Sequence, residues 1–98
     1  MSFIQLIEFQ TDNIEEFDAA VDEWLDASEG WRTATRSVRT QDRDRTDTYV
    51  QMVEFPSYTA AMENSNRPET ARLADRLAAL CSAPPVFRNL DVERIDEM

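Results

Sequence analysis

The sequence predicts an α+β domain of order β-α-β-β-α-β, ferredoxin-like, with helices on one face of a four-stranded antiparallel sheet. Three observations carry that expectation. Four segments rich in β-branched and aromatic residues are interleaved with helical stripes at spacings of three and four. A fully polar stretch joins the two middle segments, as a hairpin needs. The chain has 98 residues, enough for one domain and too few for two, so residues 1–98 are expected to form a single unit.

The first strand is expected over residues 3–9, Phe-Ile-Gln-Leu-Ile-Glu-Phe, with both faces partly buried. Thr11-Asp12-Asn13 ends it and offers helix caps. Asp12 with Glu15, or Asn13 with Glu16, has the spacing of a capping box. Ile14, Phe17, Val21, Trp24, Leu25 and Ser28 then form the apolar stripe of an amphipathic helix, with the acidic residues mostly on the wet side. Gly30, the only glycine, follows that stripe and suits a left-handed C-terminal cap.

Residues 31–40 read as a second strand, with Arg32, Arg36 and Val38 on one face and Trp31, Thr33, Thr35, Ser37 and Arg39 on the other. Gln41 to Asp47 reads as an exposed hairpin loop. Thr48 to Phe55 is the third strand, with Tyr49, Gln51, Val53 and Phe55 opposite Val50, Met52 and Glu54. Ser57 is an N-cap for a short helix through Tyr58, Ala61 and Met62. Asn64-Ser65-Asn66 interrupts it, and Pro68 starts another helix with Leu73, Ala74, Leu77, Leu80 and Cys81 as its buried stripe. Ala83-Pro84-Pro85 breaks the chain before a last strand expected from Val86 to Ile95.

Composition narrows the function. There are 20 acidic residues against 10 basic ones, all Arg, for a net charge of −10. Such a surface repels phosphate backbones and anionic lipid, so neither nucleic acid nor membrane is an expected partner. The chain has no histidine, hence no imidazole general base, metal ligand or haem ligand. Cys81 is the only cysteine, which excludes an intramolecular disulfide and a Cys-based zinc site. No metal and no cofactor are expected. No run reaches the roughly 20 apolar residues of a membrane span, and the N-terminus lacks the pattern of a signal peptide, so the expected location is cytoplasmic.

The strands are apolar on both faces. Phe3, Ile7 and Phe9 oppose Ile4 and Leu6; Tyr49, Val53 and Phe55 oppose Val50 and Met52; Val86, Leu90 and Val92 oppose Phe87 and Ile95. Helices cover only one face, and the other would expose several hundred Å² of apolar surface, which monomers rarely tolerate. The simplest cover is the same face of a second copy, so a homodimer is expected.

The run Tyr49-Val50-Gln51-Met52-Val53-Glu54-Phe55-Pro56-Ser57-Tyr58-Thr59-Ala60-Ala61-Met62 resembles the antibiotic-biosynthesis-monooxygenase-like domains of the dimeric α+β barrel superfamily. Their third strand ends in Glu and an aromatic and enters a short helix with a small–small–apolar run. Where that family often has His-x-x-x-Pro-His, this chain has Asn64, Pro68 and Glu69: the proline matches and both histidines are absent. The resemblance implies a pairing of sheets into a dimeric α+β barrel and a small pocket between sheet and helices. It does not imply a reaction, and the missing histidines speak against haem degradation.

Six residues are candidates for a ligand site. Gln5, Gln51 and Asn89 are polar residues in apolar strands; they either line a pocket and orient a ligand, or bond one another or the dimer mate. Arg88 either neutralises an anionic ligand or pairs with Glu8 or Glu54. Trp31 either caps a pocket or packs in core or interface, and Tyr49 carries a hydroxyl that seeks a partner when buried. The resemblance adds that cofactor-free oxygenases of this fold hold substrate with a Trp, an Asn and an Arg or Tyr. Trp24 reads as core, Asn64 and Asn66 as local caps, and Cys81 as a small buried hydrophobe.

Two readings follow. One is a small-molecule-binding or purely structural dimer without a defined catalytic motif. The other is a cofactor-free monooxygenase or isomerase acting on a small aromatic or polyketide-like molecule. There Gln51, Arg88 and Asn89 would stabilise an enolate-like anion, and a buried Glu8 or Glu54 would serve as base.

Overall fold

The computed structural model describes residues 2–98 and follows the order β1 (Phe3–Gln10), α1 (Ile14–Ser28), β2 (Arg36–Gln41), β3 (Thr48–Phe55), α2 (Tyr58–Ser65), α3 (Pro68–Ala79) and β4 (Val86–Asp91). The strands form one antiparallel sheet in the order β2-β3-β1-β4, as a split pair of β-α-β units requires. β1 and β3 are central and pair in full register from Phe3↔Phe55 to Gln10↔Thr48.

Side chains alternate across a strand, so the register sorts residues by face. The odd-numbered residues of β1, β3 and β4, Phe3 to Phe9, Tyr49 to Phe55 and Phe87, look toward the helices. There Phe3, Phe55 and Ala61 form a buried cluster, with Ala34, Val53 and Met62 against it. Phe9 stacks on Phe17 of α1 with centroids 4.3 Å apart. The even-numbered residues form the open face. Val38, Met52, Leu6 and Arg88 lie in one row across the four strands, with Ile4, Leu90, Val50 and Val86 in the flanking rows.

The helices begin as their caps dictate. Asn13 Oδ1 accepts from the Glu16 N–H at 3.3 Å, which decides between the two capping-box registers. The reciprocal bond is not made, because the Asn13 N–H goes to Thr11 Oγ1 at 3.1 Å. Ser57 caps α2 by accepting from the Ala60 N–H, and Pro68 opens α3.

Four sequence expectations need correction. Gly30 does not take a positive φ. The Ser28 carbonyl accepts from both Trp31 and Arg32 N–H, and the Arg32 guanidinium reaches the Leu25 carbonyl, so the helix end is satisfied without a left-handed residue. β2 begins at Arg36 and not at Trp31. Residues 31–33 commit their polar groups elsewhere, the Thr33 hydroxyl to the Ala60 carbonyl (2.6 Å) and the Thr33 N–H to Asn64 Oδ1 (3.4 Å), and contact with β3 starts only at the Thr35 N–H, which donates to the Glu54 carbonyl at 2.8 Å. β4 ends at Asp91 and not at Ile95, since its only partner, β1, starts at Phe3; one further bond, Val92 N–H to the Ser2 carbonyl, closes the pairing. The α3 stripe is not buried: Leu73 and Leu77 are half-buried and Ala74 is exposed. α3 packs along α1 and stands off the sheet, and the space beneath it is a cavity.

Candidate functional site

The cavity holds about 400 Å³ and lies between the helix-facing side of the sheet and the inner faces of α1 and α3. Its floor is Gln5, Ile7 and Phe9 of β1 with Gln51 and Val53 of β3. Its roof is the α1 stripe Phe17, Val21, Trp24 and Leu25, joined by Leu73 and Leu77 of α3. The stripe that reads in the sequence as core is the wall of a chamber. Volume of this order, mostly apolar with a few convergent polar groups, is what small-molecule sites have.

Among the described residues, each polar side chain of the wall has a defined partner apart from Gln5. The Trp24 indole N–H donates to Thr70 Oγ1 at 3.2 Å, tying α1 to α3 across the cavity. The Arg32 guanidinium donates to the Leu25 carbonyl and Ser28 Oγ, both at 2.9 Å, and lies 5.8 Å from the Trp24 ring. Asn64 is only 6% exposed. Gln51 accepts from Arg39 Nε at 3.2 Å and donates to Ser37 Oγ at 2.7 Å. Arg39 also binds Asp18 and sits over the rings of Phe9, Phe17 and Tyr49, 5.4 to 5.9 Å from their centroids.

Of the six residues singled out from the sequence, the fold brings Gln5 and Gln51 into the cavity. Asn89 pairs in register with Gln5 on the same face, but on the exposed edge strand and outside the wall. Tyr49 packs on Phe9, with centroids 5.4 Å apart, beyond the cavity's end. Trp31 does not open a strand; it meets Trp24 edge-on, centroids 6.1 Å apart, with the Arg67 guanidinium 4.7 Å from its ring. Arg88 is on the open face, because an even-numbered β4 residue cannot share a face with Gln5 and Gln51. Nor does it pair with Glu8 or Glu54: Glu54 is held by Arg36 at 3.2 Å.

Four further wall residues, Trp24, Arg32, Asn64 and Thr70, are not candidates on sequence grounds. Trp24 on an apolar helical stripe reads as core, Asn64 at a helix break reads as a cap, Arg32 reads as part of a strand that does not include it, and Thr70 carries no signal. The signal present in the sequence is a break lined with Asn where the resembled motif keeps its chemistry.

Chemically, the wall offers amides, hydroxyls, the Arg32 guanidinium and an indole, while the guanidinium of Arg36, at the edge of β2, is held by Glu54 on the open face. No carboxylate, phenol or thiol lines it among the described residues. Glu8 and Glu54, the bases considered from sequence, are even-numbered and lie on the open face. Among the described residues no three Cys, Asp or Glu side chains gather as a metal site would need. Cys81 is half-buried, its thiol donates to the Leu77 carbonyl, and burial pushes its pKa up.

The architecture matches solved structures over nearly its whole length. SnoaB, a cofactor-independent oxygenase from Streptomyces nogalater, superposes with a TM-score of 0.80 at 15% identity, covering 96% of this chain and 95% of that one. The fold is that of the antibiotic-biosynthesis-monooxygenase-like domains. A structure described as an antibiotic biosynthesis monooxygenase gives a TM-score of 0.73 at 14% identity, covering 96% of this chain and all of that one. A dimeric ferredoxin-like protein of unknown function from Jannaschia sp. gives 0.76 at 16% identity, covering 94% of this chain and all of that one. No protein-family model matches the sequence, and no curated protein matches it. At these identities the shared property is the fold.

Proposed function

We propose that the chain binds a small, largely apolar molecule in the cavity between sheet and helices, and does so as a homodimer. The observation that carries this reading is a space of about 400 Å³ where the sequence pattern would put packed core, bounded by Trp24, Gln51, Arg32 and Asn64. That no carboxylate, phenol or thiol lines the wall among the described residues favours binding over proton-transfer catalysis, because no ordinary general base faces the space.

The dimer is supported by the open face. Ile4, Leu6, Val50 and Met52 line it at the centre, and on the edge strand Val86 and Leu90 are 46% and 40% exposed. Glu8 and Arg88 lie on it diagonally, without a partner within the chain among the described residues. Opposite charges on one face suit a self-complementary contact about a two-fold axis. The Jannaschia protein of the same fold is itself described as dimeric.

A second reading, a cofactor-independent oxygenase, is favoured by the likeness to SnoaB. On this wall the substrate would have to supply its own acidic proton to bulk base, the protein contributing only donors to the resulting anion.

Native mass spectrometry of the freshly purified full chain tests the proposal. The expected result is a species of twice the 11.3 kDa chain mass carrying a small-molecule adduct or taking up added aromatic ligands. A bare 11.3 kDa monomer at micromolar concentration that takes up none overturns it. Oxygen uptake with acidic aromatic substrates distinguishes the second reading.

A further inference from the structure

Four polar residues of the cavity wall, Ser37, Gln51, Asn64 and Thr70, share a direction. Arg39 donates through Nε to Gln51 Oε1 (3.2 Å). A guanidinium has no acceptor, so the Gln51 amide can face it only with its oxygen. The two Nε2 hydrogens then point away: one goes to Ser37 Oγ at 2.7 Å and the other is left for the cavity that Gln51 lines. Ser37, accepting from Gln51, keeps its own O–H to give. Two more wall residues repeat the arrangement. Asn64 Oδ1 is taken by the Thr33 N–H, leaving its Nδ2 hydrogens, and Thr70 Oγ1 is taken by the Trp24 indole N–H, leaving its hydroxyl hydrogen. In each case the oxygen already accepts from a donor while an N–H or O–H is left to give, so these positions offer donors. Thr35, whose hydroxyl donates to the Glu54 carbonyl, and Gln5, without a side-chain partner among the described residues, are the exceptions.

We propose that Arg39, braced by Asp18, is a positioning residue that fixes the polarity of Gln51 and Ser37, so that the cavity selects ligands presenting acceptor oxygens: ketones, quinones or oxyanions. Arg39 itself lies outside the wall. It is 25% exposed, held by Asp18 and stacked among Phe9, Phe17 and Tyr49, so it cannot turn away to release the amide cheaply. This inference rests on the ligand-binding reading above and goes beyond it in naming the ligand's hydrogen-bonding character and the residue that imposes it.

The test uses two probes of one shape, acetylnaphthalene and its isopropyl isostere, titrated calorimetrically into the full chain and its variants. The quantity read is the ratio of ketone to hydrocarbon affinity, which cancels ring burial. Arg39→Met keeps the apolar stem over the rings and removes the donor; the ratio is expected to fall about tenfold, the worth of one net hydrogen bond. Arg39→Lys restores a donor and is expected to recover most of the loss, which a purely structural role would not require. Gln51→Glu, near-isosteric, leaves one carboxylate oxygen on Arg39 and turns the other toward the ligand; the ratio is expected to fall at least as far. That variant keeps the test open should Arg39→Met not fold. Ratios within about twofold of wild type in both Arg39→Met and Gln51→Glu, with both probes still bound, overturn the polarity inference and leave the binding site standing. Failure of wild-type protein to bind either probe overturns the binding reading and this inference together.

Discussion

Filling the cavity from its roof separates a binding chamber from a packing defect. Val21 is central to the α1 stripe, with Phe17 one turn before it and Trp24 and Leu25 one turn after, and all four line the space. A dry void of about 400 Å³ would cost on the order of 10 kcal/mol at about 24 cal/mol per Å³, comparable with the whole stability of a domain. The space is therefore tenable only when water or a ligand occupies it. Val21→Phe adds four carbons, which at about 0.8 kcal/mol each set a ceiling of about 3 kcal/mol. Ordering the ring and imperfect fit reduce this to about 1 kcal/mol, a rise in Tm of roughly 4–8 °C for a domain of this size. The same four carbons, each taking about the volume of a water molecule, remove roughly a quarter of the space, so affinity for a two-ring probe should fall at least tenfold. Circular dichroism melts at fixed protein concentration, paired with calorimetric titration of isopropylnaphthalene, measure both. A Tm that falls by several degrees means that side chains already fill the space and the ring overpacks it. A Tm that rises with unchanged affinity means that ligand binds elsewhere. Either outcome refutes the reasoning.

Three further outcomes are expected. Met52→Glu places a charge mid-row on the open face, beside Val38 and Leu6, and should weaken the dimer at least a thousandfold, turning it to monomer in light scattering while the far-ultraviolet dichroism is kept. Thr11→Val removes the buried hydroxyl that donates to the Leu80 carbonyl (2.6 Å) and accepts from the Asn13 N–H; stability in urea should fall by about 1 kcal/mol, because the half-buried Leu80 carbonyl loses its side-chain donor. Cys81, with its pKa raised by burial, holds less thiolate than a free thiol at any pH below that value, so alkylation should be slower than for a model peptide and accelerate only in alkali. The sign for stability follows: a raised thiol pKa contributes fully below the unfolded value and is lost as pH climbs through the folded one.

Much of the fold is legible in the sequence because short-range chemistry writes it. β3 lies where its alternation ends, Ser57 and Pro68 start the helices that follow, and Asn13 caps α1, each a preference satisfied within a few residues. The errors fall where a segment's partners are distant. Residues 31–33 have the composition of a strand, but their polar groups are drawn to the end of α1 and to α2. Gly30 can adopt a left-handed cap, but Ser28 and Arg32 close the helix without one. β4 stops where β1 offers no more chain to pair with.

The site divides in the same way. The sequence by itself determined that strands with two apolar faces meet one layer of helices, that histidine and paired cysteines are missing from the chemistry, and that Gln5 and Gln51 are polar intrusions in apolar strands. Composition and alternation within each strand decide those, since side chains alternate between faces with the parity of their position. Only the tertiary structure decided that α3 stands away from the sheet, that Trp24 and Asn64 therefore bound a chamber instead of filling a core, and that Arg88 lies on the far face from Gln51. The spacing between layers and the register between strands are set by contacts across the whole chain, and an apolar stripe reads the same whether it closes on a sheet or arches over a space.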